Sequence, residues 1–312
     1  MKSNSRILVV GAGSTGGYFG GRLAQAGRDV TFLVRTKRAQ HLQQNGLQII
    51  SPFGDVTLRP KLVTAGNLAE PFDAVLLTVK AFSLDAALDD LGPAVGPETI
   101  ILPVLNGMKH VDTIIARFGE NALVGCVCMV ATMIDDDGRI VQLTKLQEMA
   151  YGEMSGNPSP RTDRLDEAMR GAGFDARLSR TIEREMWEKW ILLATLGGIT
   201  CLMRGNVGEI EAAPGGVDFS LRFLDEVTAV VNAVGKKPSE AFLTDTKAQL
   251  TAKGSTLTSS MYRDLQKGNP VEADQIIGDL TVRAHRAQVT APLLAAAFTH
   301  LSIYQNRITE PS

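Results

Sequence analysis

Arg6-Ile-Leu-Val-Val-Gly11-Ala-Gly13-Ser-Thr-Gly16-Gly17 joins a short apolar run to three glycines spaced G-x-G-x-x-G. Residues 7–10 are too few for a helix and rich in β-branched side chains, so they read as a buried strand. Gly11 then permits the tight turn, Gly13 lets the backbone approach a pyrophosphate, and Gly16 lets the following helix lie against the strand. The N-terminus of that helix offers unpaired N–H groups and a partial positive charge to an anion. The surroundings support a dinucleotide site over a plain turn. A helix-compatible stretch covers 18–26, Gly27-Arg28-Asp29 turns the chain, and a second strand covers 30–34.

Where that second strand ends, an acid would select NAD by accepting from the ribose hydroxyls. This chain has Arg35, followed by Lys37 and Arg38, and no acid until Asp55. A guanidinium pairs with a 2′-phosphate through charge-assisted hydrogen bonds that a carboxylate would oppose. The expected cofactor is therefore NADPH.

Composition bounds the rest. A chain of 312 residues, 44% hydrophobic and 21% charged, suits a globular enzyme of about two domains. A net charge of −2 gives no basis for nucleic acid or an acidic membrane as partner. The first apolar run is too short for a signal peptide, and glycines and threonines interrupt the stretch 190–203 before it reaches a membrane span. A cytoplasmic protein is expected. Cys126, Cys128 and Cys201 are odd in number and sit among apolar residues, which favours buried thiols over disulfides. The four histidines show no metal-ligand spacing, and no metal site is expected.

Strand-like runs at 73–79, 100–105 and 124–130, with a helix over 81–91, continue the βαβ alternation. Asp135-Asp-Asp137-Gly138 makes a hairpin turn into a strand over 139–143. Residues 47–58 read as a small interrupted strand pair, and 157–160 as a loop. Helical patterns then dominate, over 183–196, 219–234, 239–251 and 272–287. The expected architecture is α/β, a doubly wound Rossmann-type sheet over 1–179 followed by an all-helical domain over 180–312, with the active cleft between.

Lys80 follows the strand 73–79, and Asn106-Gly107-Met108 follows the strand 100–105, at the carboxyl ends where open α/β sheets bind ligands. Further on come Trp187-Glu-Lys189-Trp190, Ser259-Ser260-Met261 and Glu272. Taken together, and in this order over nearly the whole chain, these motifs resemble the ketopantoate reductase (2-dehydropantoate 2-reductase) family. The resemblance implies NADPH-dependent reduction of a 2-oxo acid in pantothenate biosynthesis, with Gly11, Gly13, Ser14, Gly16, Arg35 and Lys80 on the cofactor. It implies Asn106 at the junction of cofactor and substrate, Lys189 as catalytic lysine, Ser260 on substrate, and Glu272 on substrate and near the lysine. A small-molecule 2-oxo acid is the implied partner, and a homodimer is possible. Two other readings are a related two-domain hydroxyacid dehydrogenase and a non-enzymatic NADPH sensor.

Each of these residues also has a structural reading. Lys189 could be a surface charge paired at i,i+4, Glu272 an acid at a helix N-terminus, Ser260 a cap, and Asn106 a turn residue. The sequence also departs from the family. Its members place asparagines four and eight residues after the lysine, and here Leu193 and Gly197 stand instead. Leu193 would offer apolar contact and Gly197 would leave room.

Overall fold

The computed structural model describes residues 5–309. The chain divides into two units, Met1–Leu105 with His110–Glu183, and Asn106–Lys109 with Arg184–Ser312.

The first unit is built on a parallel sheet. Strands β1 (Arg6–Val10), β2 (Asp29–Leu33), β5 (Lys61–Val63), β6 (Ala74–Leu77) and β7 (Ile100–Pro103) lie in the order β5-β2-β1-β6-β7. β1 is central, with Val10 opposite Leu33 on one side and Leu77 on the other. All of Ile7–Val10 is buried, which explains an uninterrupted apolar run, since a strand covered on both faces has no polar alternation. Helices α1 (Ser14–Gln25), α2 (Thr36–Asn45), α3 (Leu84–Leu91) and α4 (Lys109–Phe118) supply the crossovers. The strand expected over 73–79 is shorter. It ends at Leu77, so Thr78, Val79 and Lys80 leave the sheet as an extended loop.

A second five-stranded sheet accompanies the first, where a single doubly wound sheet was expected over 1–179. Strands β3 (Leu47–Ile50), β4 (Val56–Leu58), β8 (Gly125–Ile134), β9 (Ile140–Gly152) and β10 (Asp175–Leu178) form it, with the path β10-β9-β3-β4 and β8 on β9. The interrupted pair over 47–58 is the antiparallel β3–β4 hairpin. β9 runs nine residues past the expected end at 143, because its middle, Gln142-Leu-Thr-Lys-Leu-Gln147, inverts the usual pattern, with Gln142 and Gln147 buried and Leu143 and Leu146 exposed. Helix α5 (Pro160–Met169) was also hidden, since it begins inside the segment read as a loop. Ser159 caps it, its Oγ accepting from the Thr162 N–H, and Pro160 occupies the first turn where its missing N–H costs nothing.

The second unit is helical. It contains α6 (Ile182–Met203, whose first two residues fall in the first unit), α7 (Val207–Ala212), α8 (Gly216–Val234), α9 (Glu240–Leu250), α10 (Ser260–Gln266), α11 (Asp279–Arg286) and α12 (Pro292–Thr309). α6 continues beyond 196 through Gly197-Gly198, a pair that should weaken a helix. A side chain at Gly198 would overlap the Phe223 ring, so the glycine is what lets α8 approach α6. The helix expected over 272–287 is two pieces, a π-helical turn over Asp274–Gly278 running into α11. Cys126, Cys128 and Cys201 are buried and in no disulfide among the described residues. Among the described residues no helix is long and apolar enough to cross a membrane.

Candidate active site

In the first unit the three glycines take three different roles. Gly11 has φ +97° and donates its N–H to Leu33 O at 2.9 Å, carrying the chain off β1 through a turn that an L side chain would strain. At Gly16 a Cβ would overlap Thr78 Oγ1 and the Gly11 carbonyl oxygen, so this glycine is dictated by packing. At Gly13 nothing lies within 4 Å of a would-be Cβ. The fold itself therefore does not require a glycine there, and the open space over the N-cap of α1 suits a ligand's phosphates. Ser14 is the first residue of α1 and Gly13 its N-cap, without a side-chain cap and without an acid in the first turn. The N–H groups and dipole of that terminus suit an anion.

Thr78 holds the loop from behind, a role the sequence reading missed. Its Oγ1 donates at 2.9 Å towards both Val10 O and Gly11 O, and its N–H donates to Val10 O at 3.1 Å. The signal available was a lone hydroxyl closing an apolar strand.

The basic residues after β2 separate by role. Arg38 is half-buried and spent on backbone, donating from Nε to Ala12 O (3.1 Å) and from Nη1 to Gly138 O (3.0 Å). Burial lowers its pKa. Arg35 and Lys37 are exposed. Arg35 precedes α2 and reaches Ser83 Oγ at 3.2 Å, across to the short 3-10 turn that follows Lys80. Arg35 and the exposed Lys80 therefore flank one edge of the sheet, where the resemblance assigns both to the cofactor.

In the second unit, Lys189 is half-buried on α6, between Trp187 and Trp190. Both indoles are buried, their centroids 5.4 Å apart, and the Arg283 guanidinium carbon lies 5.9 Å and 5.7 Å from them. They pack as core. The neighbouring acid, Glu188, accepts from the Ser239 N–H and Oγ at 2.8 Å each, tying down the start of α9.

Trp190 does more than fill space. Its Nε1 donates to Ile276 O at 2.8 Å, inside the π-helical turn. A π turn disturbs the regular ladder, and a buried carbonyl there needs a donor from elsewhere. Glu272 lies at the entrance of this turn, half-buried, with its carbonyl accepting from the Ile276 N–H at 3.0 Å. The loop Asn106-Gly107 meets the same turn. Gly107 has φ +80°, and a Cβ there would stand 2.6 Å from Gln275 O. The left-handed turn thus belongs to Gly107, leaving Asn106 half-buried ahead of it. Asn106, Lys189 and Glu272 all lie within four residues of the contacts at Gln275–Ile276, although 166 positions of sequence separate the first from the last.

The register of the two serines is resolved. Ser259 is the buried N-cap of α10, its Oγ accepting from the Tyr262 N–H at 3.0 Å and sharing a 2.9 Å hydrogen bond with Thr200 Oγ1. Ser260 is exposed at the start of the helix. The cap role considered for Ser260 belongs to Ser259. At Gly197 the expected room is absent, because a Cβ there would stand 2.6 Å from the Met261 methyl carbon. Met261, buried against α6, occupies that space.

A sequence model described as "Ketopantoate reductase PanE/ApbA" matches residues 7–156, and its C-terminal counterpart matches 181–305. The chain is 34% identical over 300 residues to the uncharacterized oxidoreductase YkpB of Bacillus subtilis (strain 168), covering 96% of this chain and 99% of that one. Among solved structures it resembles 2-dehydropantoate 2-reductase from Geobacter metallireducens GS-15, with TM-score 0.85, 27% identity, and coverage of 96% and 99%. It also shares its fold with D-mandelate dehydrogenase solved with NADH and anilino(oxo)acetate, at TM-score 0.86, 20% identity, and coverage of 98% and 100%.

Proposed function

This chain belongs to the ketopantoate reductase family, and from that premise we propose that it is an NADPH-dependent reductase of a 2-oxo acid. The observation that carries the reading is the convergence of Asn106, Lys189 and Glu272 on one π-helical turn. Contacts made by the adjacent Trp190 and Gly107 gather these residues, remote in sequence, at one place.

The overall reaction is 2-oxo acid plus NADPH plus a proton giving 2-hydroxy acid plus NADP⁺. The nicotinamide supplies the hydride that goes to the carbonyl carbon. Lys189 is assigned the other half of the chemistry. Its ammonium stabilises the negative charge that develops on the carbonyl oxygen and gives that oxygen its proton. Asn106 and Ser260 orient the substrate, and Glu272 holds the lysine and a substrate group. Gly11, Gly13, Ser14 and Gly16 receive the pyrophosphate. Arg35 takes the 2′-phosphate, supported by its hydrogen bond to Ser83 and by the absence of an acid at that position. Lys80 adds a second positive charge on the same edge.

The test is to follow NADPH oxidation by the purified protein against 2-oxo acids, 2-dehydropantoate included. Turnover with any of them supports the reading. Tight NADPH binding with no turnover supports the sensor alternative instead.

A further inference from the structure

We propose that the substrate is a 2-oxo acid whose side chain is aliphatic and without a hydroxyl group, selected by Leu193. This rests on Lys189 facing the substrate oxygen.

Positions four apart on a helix stand one above the other, about 6 Å apart. Lys189, Leu193 and Gly197 therefore form one row along α6. Leu193 presents a half-buried isobutyl group one turn from the ammonium. At the second turn Gly197 has no side chain, and the Met261 methyl carbon lies where its Cβ would be built.

The hydroxyls nearby are closed on one another. Thr200, fully buried, donates to Leu196 O at 2.6 Å and is joined to Ser259 Oγ, which in turn accepts from the Tyr262 N–H. Thr195 is turned back onto Ile191 O at 2.8 Å. From the ammonium onward, the row offers a substrate only the isobutyl group of Leu193, since Gly197 and Met261 are buried. A substrate hydroxyl set against it would be stripped of water with no partner, whereas a methyl group there gains contact.

The decisive comparison needs no variant. 2-Dehydropantoate and 3,3-dimethyl-2-oxobutanoate share one skeleton and differ by a single hydroxyl. An apolar wall rejects an added hydroxyl only moderately, so kcat/KM should favour the compound without it by roughly 10- to 100-fold. Leu193→Asn should cut that ratio at least tenfold by giving the hydroxyl a partner. A clear preference for 2-dehydropantoate in the natural protein would overturn the proposal while leaving 2-oxo acid reduction intact. An unchanged ratio in Leu193→Asn would remove Leu193 from selection. Turnover of neither compound, with NADPH still bound, would instead bring down the catalytic reading on which the inference depends.

Discussion

The glycine loop and the π-helical turn are both places where backbone comes unusually close to backbone, and they reach that closeness by opposite routes. In the loop the requirement is local. Gly11, Gly13 and Gly16 lie within six residues, and Thr78, just past the end of the neighbouring strand β6, holds the start of the loop and abuts Gly16. In the π turn the requirement is distributed. Trp190 and Gly107 come from 86 and 168 positions away to satisfy or make room for two neighbouring carbonyls, Ile276 O and Gln275 O. A site made by local backbone geometry leaves a motif in the sequence. One made by packing leaves isolated residues whose meaning depends on what they meet.

The comparison is tested most severely by Lys189→Ala. If the π-turn cluster is the catalytic half, turnover should fall about 10²–10⁴-fold with NADPH affinity nearly unchanged, since acid catalysis acts in the transition state. Near-normal turnover in steady-state assays would remove the lysine from the mechanism. Arg35→Asp addresses the other half. Loss of charge-assisted bonds and added repulsion should weaken NADPH by about 2–4 kcal/mol while affecting NADH little. Equal affinity of the natural protein for the two cofactors in fluorescence titrations would defeat it.

The glycines themselves sharpen the contrast. Gly16→Ala must displace Thr78 or the Gly11 carbonyl, and should cost about 1–3 kcal/mol of stability or more. Gly13→Ala meets open space, so Tm should stay put while NADPH binding weakens. A matched loss of Tm in both variants would mean that the loop's openness is not reserved for a ligand. Trp190→Phe keeps a ring but strands Ile276 O, at about 1–3 kcal/mol for an unpaired buried carbonyl. Its diagnostic readout is kinetic. kcat should fall along with Tm, because the same contact sets the position of the Lys189 turn relative to Glu272.

These differences also explain what could be read in advance. The parallel sheet was legible because its central strands are buried on both faces and their apolar runs are continuous. The second sheet was legible only at its edges. The middle of β9 buries glutamines and exposes leucines, and α5 starts in a Pro-Ser-Pro segment that looks like a loop until Ser159 is seen capping it. At the site, Arg35 stood out by contrast with the acid it replaces, but the division between Arg35, still exposed, and Arg38, spent on Ala12 and Gly138, needs coordinates. The same holds for Ser259 and Ser260, which are identical letters with opposite burial. Gly197 is the clearest case of a misleading residue. Absence of a side chain suggested space, and Met261, 64 positions later, fills it.

The short segment Asn106–Lys109 belongs by its contacts to the helical unit, although the chain on both sides of it belongs to the sheet unit. The two halves are consequently not separable cassettes. A fragment starting at residue 184 would lack the glycine turn that lies against Gln275, and a fragment ending at 183 would carry that turn with nothing to receive it. Recombination between relatives should therefore succeed when a crossover carries 106–109 and 184–309 from the same parent. A single cut at the apparent boundary would mismatch the loop and the turn it was shaped to meet.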